Sequence, residues 1–178
     1  TVKRYLSNFF AFGIDGRSVV WEGECIETKG TATMTHKATV GSISHGTLRT
    51  PDLLEAFANE LEWLTTLANS LVEEARAVLT LDRAGWSELV DSEEASDLVS
   101  AMSDALNELA PAYCYFGAHE GDGADFGFWP VMEEIEELPK VSDPSEVEKH
   151  LGEDCAFVND HGNVTVYNAA GAVILELV

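Results

Sequence analysis

The chain has 178 residues, 46% hydrophobic and 9% aromatic, enough to close a core, and a formal net charge of −22 from 10 basic and 32 acidic side chains. That charge argues against direct binding to nucleic acid or to an anionic membrane, both of which are held by Lys and Arg. No run of 18 apolar residues occurs and the first residues lack the apolar run of a secretion signal, so a soluble, cytoplasmic protein with a single domain over 1–178 is expected.

Residues 1–45 read as strands. Tyr5 to Phe12 is apolar and aromatic, Asp15-Gly16 is a tight-turn pair, Ser18 to Thr28 partly alternates, and Lys29-Gly30 turns the chain into Thr31 to Ile43. A three-stranded antiparallel meander is expected there. Residues 50–110 read as helices. Thr50-Pro51-Asp52 supplies an N-cap, a proline where a missing N–H costs nothing, and an acid at the positive end of the dipole. Leu53, Phe57, Leu61, Leu64, Ala68, Leu71, Ala75 and Val78 then recur at spacings of four and three, as one long helix or as two with a break near Asn69-Ser70. Asp91 with Glu94 forms a capping box for a further helix to Leu109, and Asp143-Pro144-Ser145-Glu146 starts a short one ending near His150.

Strands return in 111–178. Ala112 to Phe116 and Phe126 to Trp129 flank a glycine-rich loop, and Ala156 to Asn159, Asn163 to Tyr167 and Ala172 to Val178 make a closing meander. The order implies an α+β fold. An antiparallel or mixed sheet from the N- and C-terminal strands would be covered by two or three central helices.

Two segments hold residue types capable of chemistry. In Gly117 to Pro130, His119, Asp122 and Asp125 are metal-ligand types with Glu120 beside them as a general base. The spacing matches neither a dinucleotide fingerprint nor a calcium loop, so glycines at positive φ, with Asp122 and Asp125 bonding their own backbone, explain it more simply. In Val158 to Val164, Asp160, His161 and Gly162 suit a hairpin turn with an exposed histidine. Only if the loops met would His119, Asp122, Asp125, Asp160 and His161 supply a divalent metal site, the basis of an alternative reading as a metal-dependent enzyme. No metal and no cofactor is expected. His36, His45 and His150 are isolated, and Ser42, Ser44 and Thr47 lack a nucleophile elbow. Cys25, Cys114 and Cys155 contain no CxxC pair and read as three buried thiols.

The runs Tyr113 to Trp129 and Phe157 to Tyr167 (FVNDHGNVTVY) resemble uncharacterised small acidic proteins encoded on phages and plasmids, over roughly the last third of the chain. The resemblance brings no activity. It implies the host cell of a mobile element, where small acidic proteins that block host defence systems are a known type.

The strongest signal is where the charge lies. Residues 1–50 carry six basic and four acidic side chains, while 51–178 carry 4 basic and 28 acidic. At 3.6 residues per turn Glu93, Asp97, Asp104 and Glu108 fall within about 60° of one another, away from the apolar stripe of Leu98, Met102, Ala105 and Leu109. Neighbouring carboxylates one turn apart stand about 6 Å apart, near the roughly 7 Å phosphate step of a nucleic-acid strand. Glu133, Glu134, Glu136 and Glu137, with Glu153 and Asp154, extend this surface. A partnerless solvated surface and adaptation to high salt also raise acid content, but salt adaptation would not spare the first fifty residues. The reading that accounts for the asymmetry is an acidic binding or inhibitor protein, a nucleic-acid mimic facing a basic, nucleic-acid-binding protein. A non-catalytic phage accessory protein is a further alternative, and the 51–81 stripe could serve a homodimer.

Overall fold

The computed structural model describes residues 10–12, 18–20, 36–65, 69–85 and 92–178. The backbone falls into two compact units, Thr1–Thr31 and Ala32–Val178. In the first, β1 (Phe10–Phe12) pairs antiparallel with β2 (Ser18–Val20), Phe10 opposite Val20 and Phe12 opposite Ser18. The turns at Asp15-Gly16 and Lys29-Gly30, the thiol of Cys25 and the cap at Asp91 lie outside the described residues.

The second unit is α+β, with helices between strand groups as the sequence order implies. Its first layer is the sheet β3-β5-β4, formed by β3 (Gly41–Ser44), β4 (Cys114–His119) and β5 (Asp122–Pro130), antiparallel throughout. Of the expected third strand over Thr31 to Ile43, the described residues form only the short β3, which pairs with β5. The N-terminal strand β3 thus shares a sheet with strands of the C-terminal group, as expected, while β6 (Lys140–Val141), β7 (Cys155–Val158), β8 (Val164–Tyr167) and β9 (Val173–Leu177) form a second, four-stranded sheet. That sheet is mixed, because β6 runs parallel to β7 across a 3₁₀ crossover, Pro144–His150. Asp143 caps the crossover, its carboxylate accepting from Ser145 N at 2.8 Å.

Of three fifteen-residue helices, α1 (Thr50–Leu64) and α3 (Glu93–Asn107) pack on the first sheet, and α2 (Asn69–Arg83) packs on those two. The continuous apolar stripe is therefore divided between two helices. Residue 49 rather than Thr50 is the cap of α1; Arg49 is extended and makes no side-chain cap bond, while Thr47 Oγ1 accepts from Arg49 N and donates to Asp52 Oδ2 at 2.6 Å. Ser92 caps α3 by accepting from Ala95 N at 3.2 Å. Leu53, Leu54, Phe57, Leu61, Val72, Ala75, Leu98, Met102 and Leu106 meet in one core with Phe116 and Phe128. Of the stripe over 51–81, Leu53, Phe57, Leu61, Leu64, Ala75 and Val78 are buried within the chain and Leu71 is half-buried, while Ala68 lies outside the described residues.

The aromatic contacts show how the layers lock. Phe57, fully buried on α1, stands edge-on to Phe116 with ring centroids 5.0 Å apart and reaches Phe126 at 5.7 Å; Phe116 meets Phe128 at 5.0 Å. Such edge-to-face pairs add about 0.5–1.5 kcal/mol beyond their buried area. The four-stranded sheet has its own core, Ile135 from α4 (Met132–Glu137) against Ala156, Val164, Val166 and Leu175, while Val141, Val147 and Cys155 pack on its other face.

Gly127 sets the geometry of the first sheet. It lies on the central strand between Ser42 and Gly117, and a Cβ there would run into the Gly41 carbonyl. Gly41 itself has φ +137°, open to glycine and rarely to other residues. Gly127→Ala is expected to lower unfolding free energy by about 2–4 kcal/mol in urea titration, while Gly123→Ala, which meets nothing within 4 Å, changes it by about 0.5 kcal/mol or less. Equal effects of the two would show that β3 does not pack closely on β5.

Candidate protein-binding surface

All four acids of the predicted row, Glu93, Asp97, Asp104 and Glu108, are exposed, and the apolar side of α3 is buried through Ala95, Leu98, Met102 and Leu106. Ser100 and Ala101 interrupt the row, leaving two one-turn pairs. From Glu93 to Glu108 the helix rises about 22 Å, four carboxylates at a mean axial step of about 7.5 Å. Asp104 and Glu108 also sit at the negative end of the dipole, with no basic residue in the last turn. Glu94, in the first turn, is held below the usual carboxylate range by hydrogen bonds from its own backbone N–H and from Ser92. Glu133, Glu134, Glu136 and Glu137 are exposed on α4, around the buried anchor Ile135; the sequence reading had them as a charged surface without a helix beneath it.

What distinguishes α3 and α4 from the other helices is the absence of countercharge among the described residues. Arg76 of α2 bonds both Glu62 and Asn59 of α1 at 2.7 Å, and Arg83 reaches Glu55 at 3.1 Å. Arg49 pairs with Asp52 and Lys149 with Glu146. Lys37 donates to the Ile174 carbonyl at 3.1 Å, and Lys140 to that of Ile135. Every described Lys and Arg is thereby engaged, and none pairs with an acid of the α3 row or of α4. Burial raises the carboxyl pKa of Glu60 on α1 and of Glu74 on α2. Glu60 lines a shallow groove with Ser42, Asp52, Glu55 and Asn59, whose other acids are already held by arginines.

Glu153 is exposed beside His150 at 3.3 Å, but Asp154 does not extend the acidic surface. It accepts from the Tyr113 hydroxyl at 2.8 Å and from Ala169 N at 2.8 Å, fastening the four-stranded sheet to the start of β4. Tyr113 has φ +62°, a left-handed conformation costing a non-glycine residue about 1–2 kcal/mol, and its carbonyl is held by Val131 N at 2.8 Å.

The glycine-rich segment is a hairpin, not a loop. His119 pairs with Asp122 across a two-residue Glu120-Gly121 turn, and none of Gly117, Gly121, Gly123 and Gly127 has positive φ. Gly117 and Gly127 lie within strands because backbone and rings approach them. Asp122 accepts from Ala124 N at 3.0 Å as expected, but Asp125 accepts from the Ser42 hydroxyl at 2.5 Å rather than from backbone. His119 Nδ1 accepts from Gly121 N, and its ring stands edge-on to Trp129 with centroids 4.6 Å apart. At the other turn Asn159 rather than Asp160 bonds the backbone, accepting from His161 N and Asn163 N, with Gly162 at φ +85°. Asp160 and His161 are exposed. Among the described residues no group of three or more His, Cys, Asp or Glu side chains could hold a metal ion, so the fallback set of His119, Asp122, Asp125, Asp160 and His161 does not assemble. Of the thiols, Cys155 is buried, whereas Cys114 is only half-buried and pushed up to about 11, mainly by desolvation.

Among the described residues no helix is long and apolar enough to cross a membrane. The chain matches none of the protein families, curated proteins or solved structures with which it was compared.

Desolvation first, then the Asp154 bond and charge, push the Tyr113 phenol up to about 12. Unfolded tyrosine ionises near pH 10, so the contribution of Tyr113 to stability is complete below pH 10 and is lost as pH rises towards 12. Tyr113→Phe should be less stable than wild type at pH 8, and the gap should narrow between pH 10 and 12. A constant gap across that range would remove the Asp154 bond from the account.

Proposed function

We propose that the protein is an acidic binding or inhibitor protein that presents the carboxylate row of α3 to a basic, nucleic-acid-binding partner and competes with the nucleic acid for it. The observation that carries this reading is the unneutralised row: Glu93, Asp97, Asp104 and Glu108 stand exposed on a rigid helix while the described cations bond elsewhere. Like charges one turn apart cost a helix about 0.2–0.5 kcal/mol per pair, so helix stability does not account for them. The two one-turn pairs, each about 6 Å across, suit a groove lined with Lys and Arg. The acids of α4 add to the surface. The resemblance to phage and plasmid proteins supports a cytoplasmic setting in the host of a mobile element, with a host defence or other DNA- or RNA-processing complex as target.

A partner held this way is released by salt and displaced by nucleic acid. On immobilised protein in a bacterial lysate, nucleic-acid-binding proteins should be retained at low salt, elute as salt rises, and be displaced by added duplex DNA. Asp97→Lys combined with Asp104→Lys should keep the wild-type circular dichroism spectrum and weaken this binding by about tenfold or more. Retention that survives the double reversal but is lost in His119→Ala would move the site to the β4–β5 hairpin and defeat the proposal.

A further inference from the structure

Alternation gives β4 and β5 two different faces. Phe116 and Phe128, directly opposite one another, point into the core under the helices. The next pair, Tyr115 and Trp129, therefore stands on the opposite face, followed by the pair Gly117 and Gly127. Two glycines leave bare backbone there, and the aromatic side chains lie across it. A Cβ on Gly117 would meet Cδ2 and Cε2 of Tyr115 at 3.3 Å, and Trp129 Nε1 donates to the Gly117 carbonyl at 2.9 Å. The Tyr115 hydroxyl donates to the Ala118 carbonyl at 3.2 Å, and His119 stands edge-on to Trp129. Both rings are fixed by backbone bonds, and neither belongs to a hydrophobic cluster among the described residues.

Both rings are half-buried and their polar edges are engaged, so the part of each that reaches solvent is π-surface. Carboxylates border it. Glu120 lies in the turn, close enough to add to the burial that raises the Tyr115 phenol, and Asp125 follows on the same strand beside Ser42. None of the described Lys or Arg side chains bonds to this face. Aromatic faces bordered by carboxylates with no cation of their own attract a cation, and a planar, weakly hydrated guanidinium fits better than an ammonium.

We propose that the outer face of the β4–β5 hairpin, formed by Tyr115, Trp129 and His119 with Glu120 and Asp125, receives an arginine side chain of the basic partner. This rests on the acidic-binding reading for the partner's charge, and adds a contact selective for arginine on the side of the sheet away from α3.

Full-length protein titrated at low salt with nona-arginine and nona-lysine separates the two ideas. Nona-arginine should bind at least about threefold more tightly, with a shift of the Trp129 indole N–H resonance. Trp129→Leu and, separately, Tyr115→Leu should bring the two affinities together while leaving nona-lysine binding unchanged; Trp129→Phe, which keeps a ring, should retain part of the preference. A preference that survives in folded Trp129→Leu and Tyr115→Leu would belong to carboxylate pairing elsewhere and overturn the proposal. Equal wild-type binding of both peptides, weakened alike by Asp97→Lys with Asp104→Lys, would overturn it while sparing the acidic reading. Failure of both peptides to bind would defeat both.

Discussion

The contact on which the described globule depends is the meeting of Phe57 with the phenylalanines of β4 and β5. It joins α1 to β4 and β5, while α1 also packs on β3. α2 packs on α1, and α3, packed on α1 and β4, adds Met102 and Leu106 to the same core. Because those rings occupy one face of the hairpin, alternation sends Tyr115 and Trp129 to the other. Because α3 must bury Leu98 and Met102, its acidic side must face water. One packing decision thus fixes the orientation of both surfaces to which a role is assigned.

The sheet tolerates this only because of its glycines. β5 is central, and β3 comes over it so closely at Gly41 that residue 127 can carry no side chain. Gly117, beside it, leaves room for the Tyr115 ring. The composition that makes the hairpin look like a loop is thus the composition that lets three backbones and two rings share one layer.

That explains which parts were legible in sequence. The helices after Pro51 and before Asn107 announce themselves by 3.6-residue periodicity, and the closing meander of β7, β8 and β9 by alternation around Asn159, Gly162 and Gly171. The acidic row is readable for the same reason, since periodicity alone places Glu93, Asp97, Asp104 and Glu108 together. The hairpin was misread because glycine signals a turn locally, whereas the close approach of β3, 83 residues away at the Ser42–Asp125 bond, is tertiary information. Neutralisation was equally hidden. Arg83 and Glu55 are 28 residues apart, and Tyr113 and Asp154 are 41 apart, so no local pattern shows which acids are occupied. Tyr115 and Trp129 flank Gly117 and Gly127 at matching strand positions, a pairing that only the β4–β5 register reveals.

Acid placed for solubility alone has no reason to avoid countercharge, and on α1 Glu55 and Glu62 each meet an arginine from α2. On α3 the arrangement is reversed. Two like-charged pairs, Glu93 with Asp97 and Asp104 with Glu108, each cost about 0.2–0.5 kcal/mol, and the second pair also opposes the dipole. In the free protein that energy is only partly screened by salt. In the proposed complex, a cationic surface laid along α3 would remove the repulsion as it formed new pairs, favouring the bound helix over the isolated one. Helix geometry holds the carboxylates in register beforehand, which lowers the ordering cost of association. This difference between α3 and α1, more than the total of −22, is what supports the proposed partner.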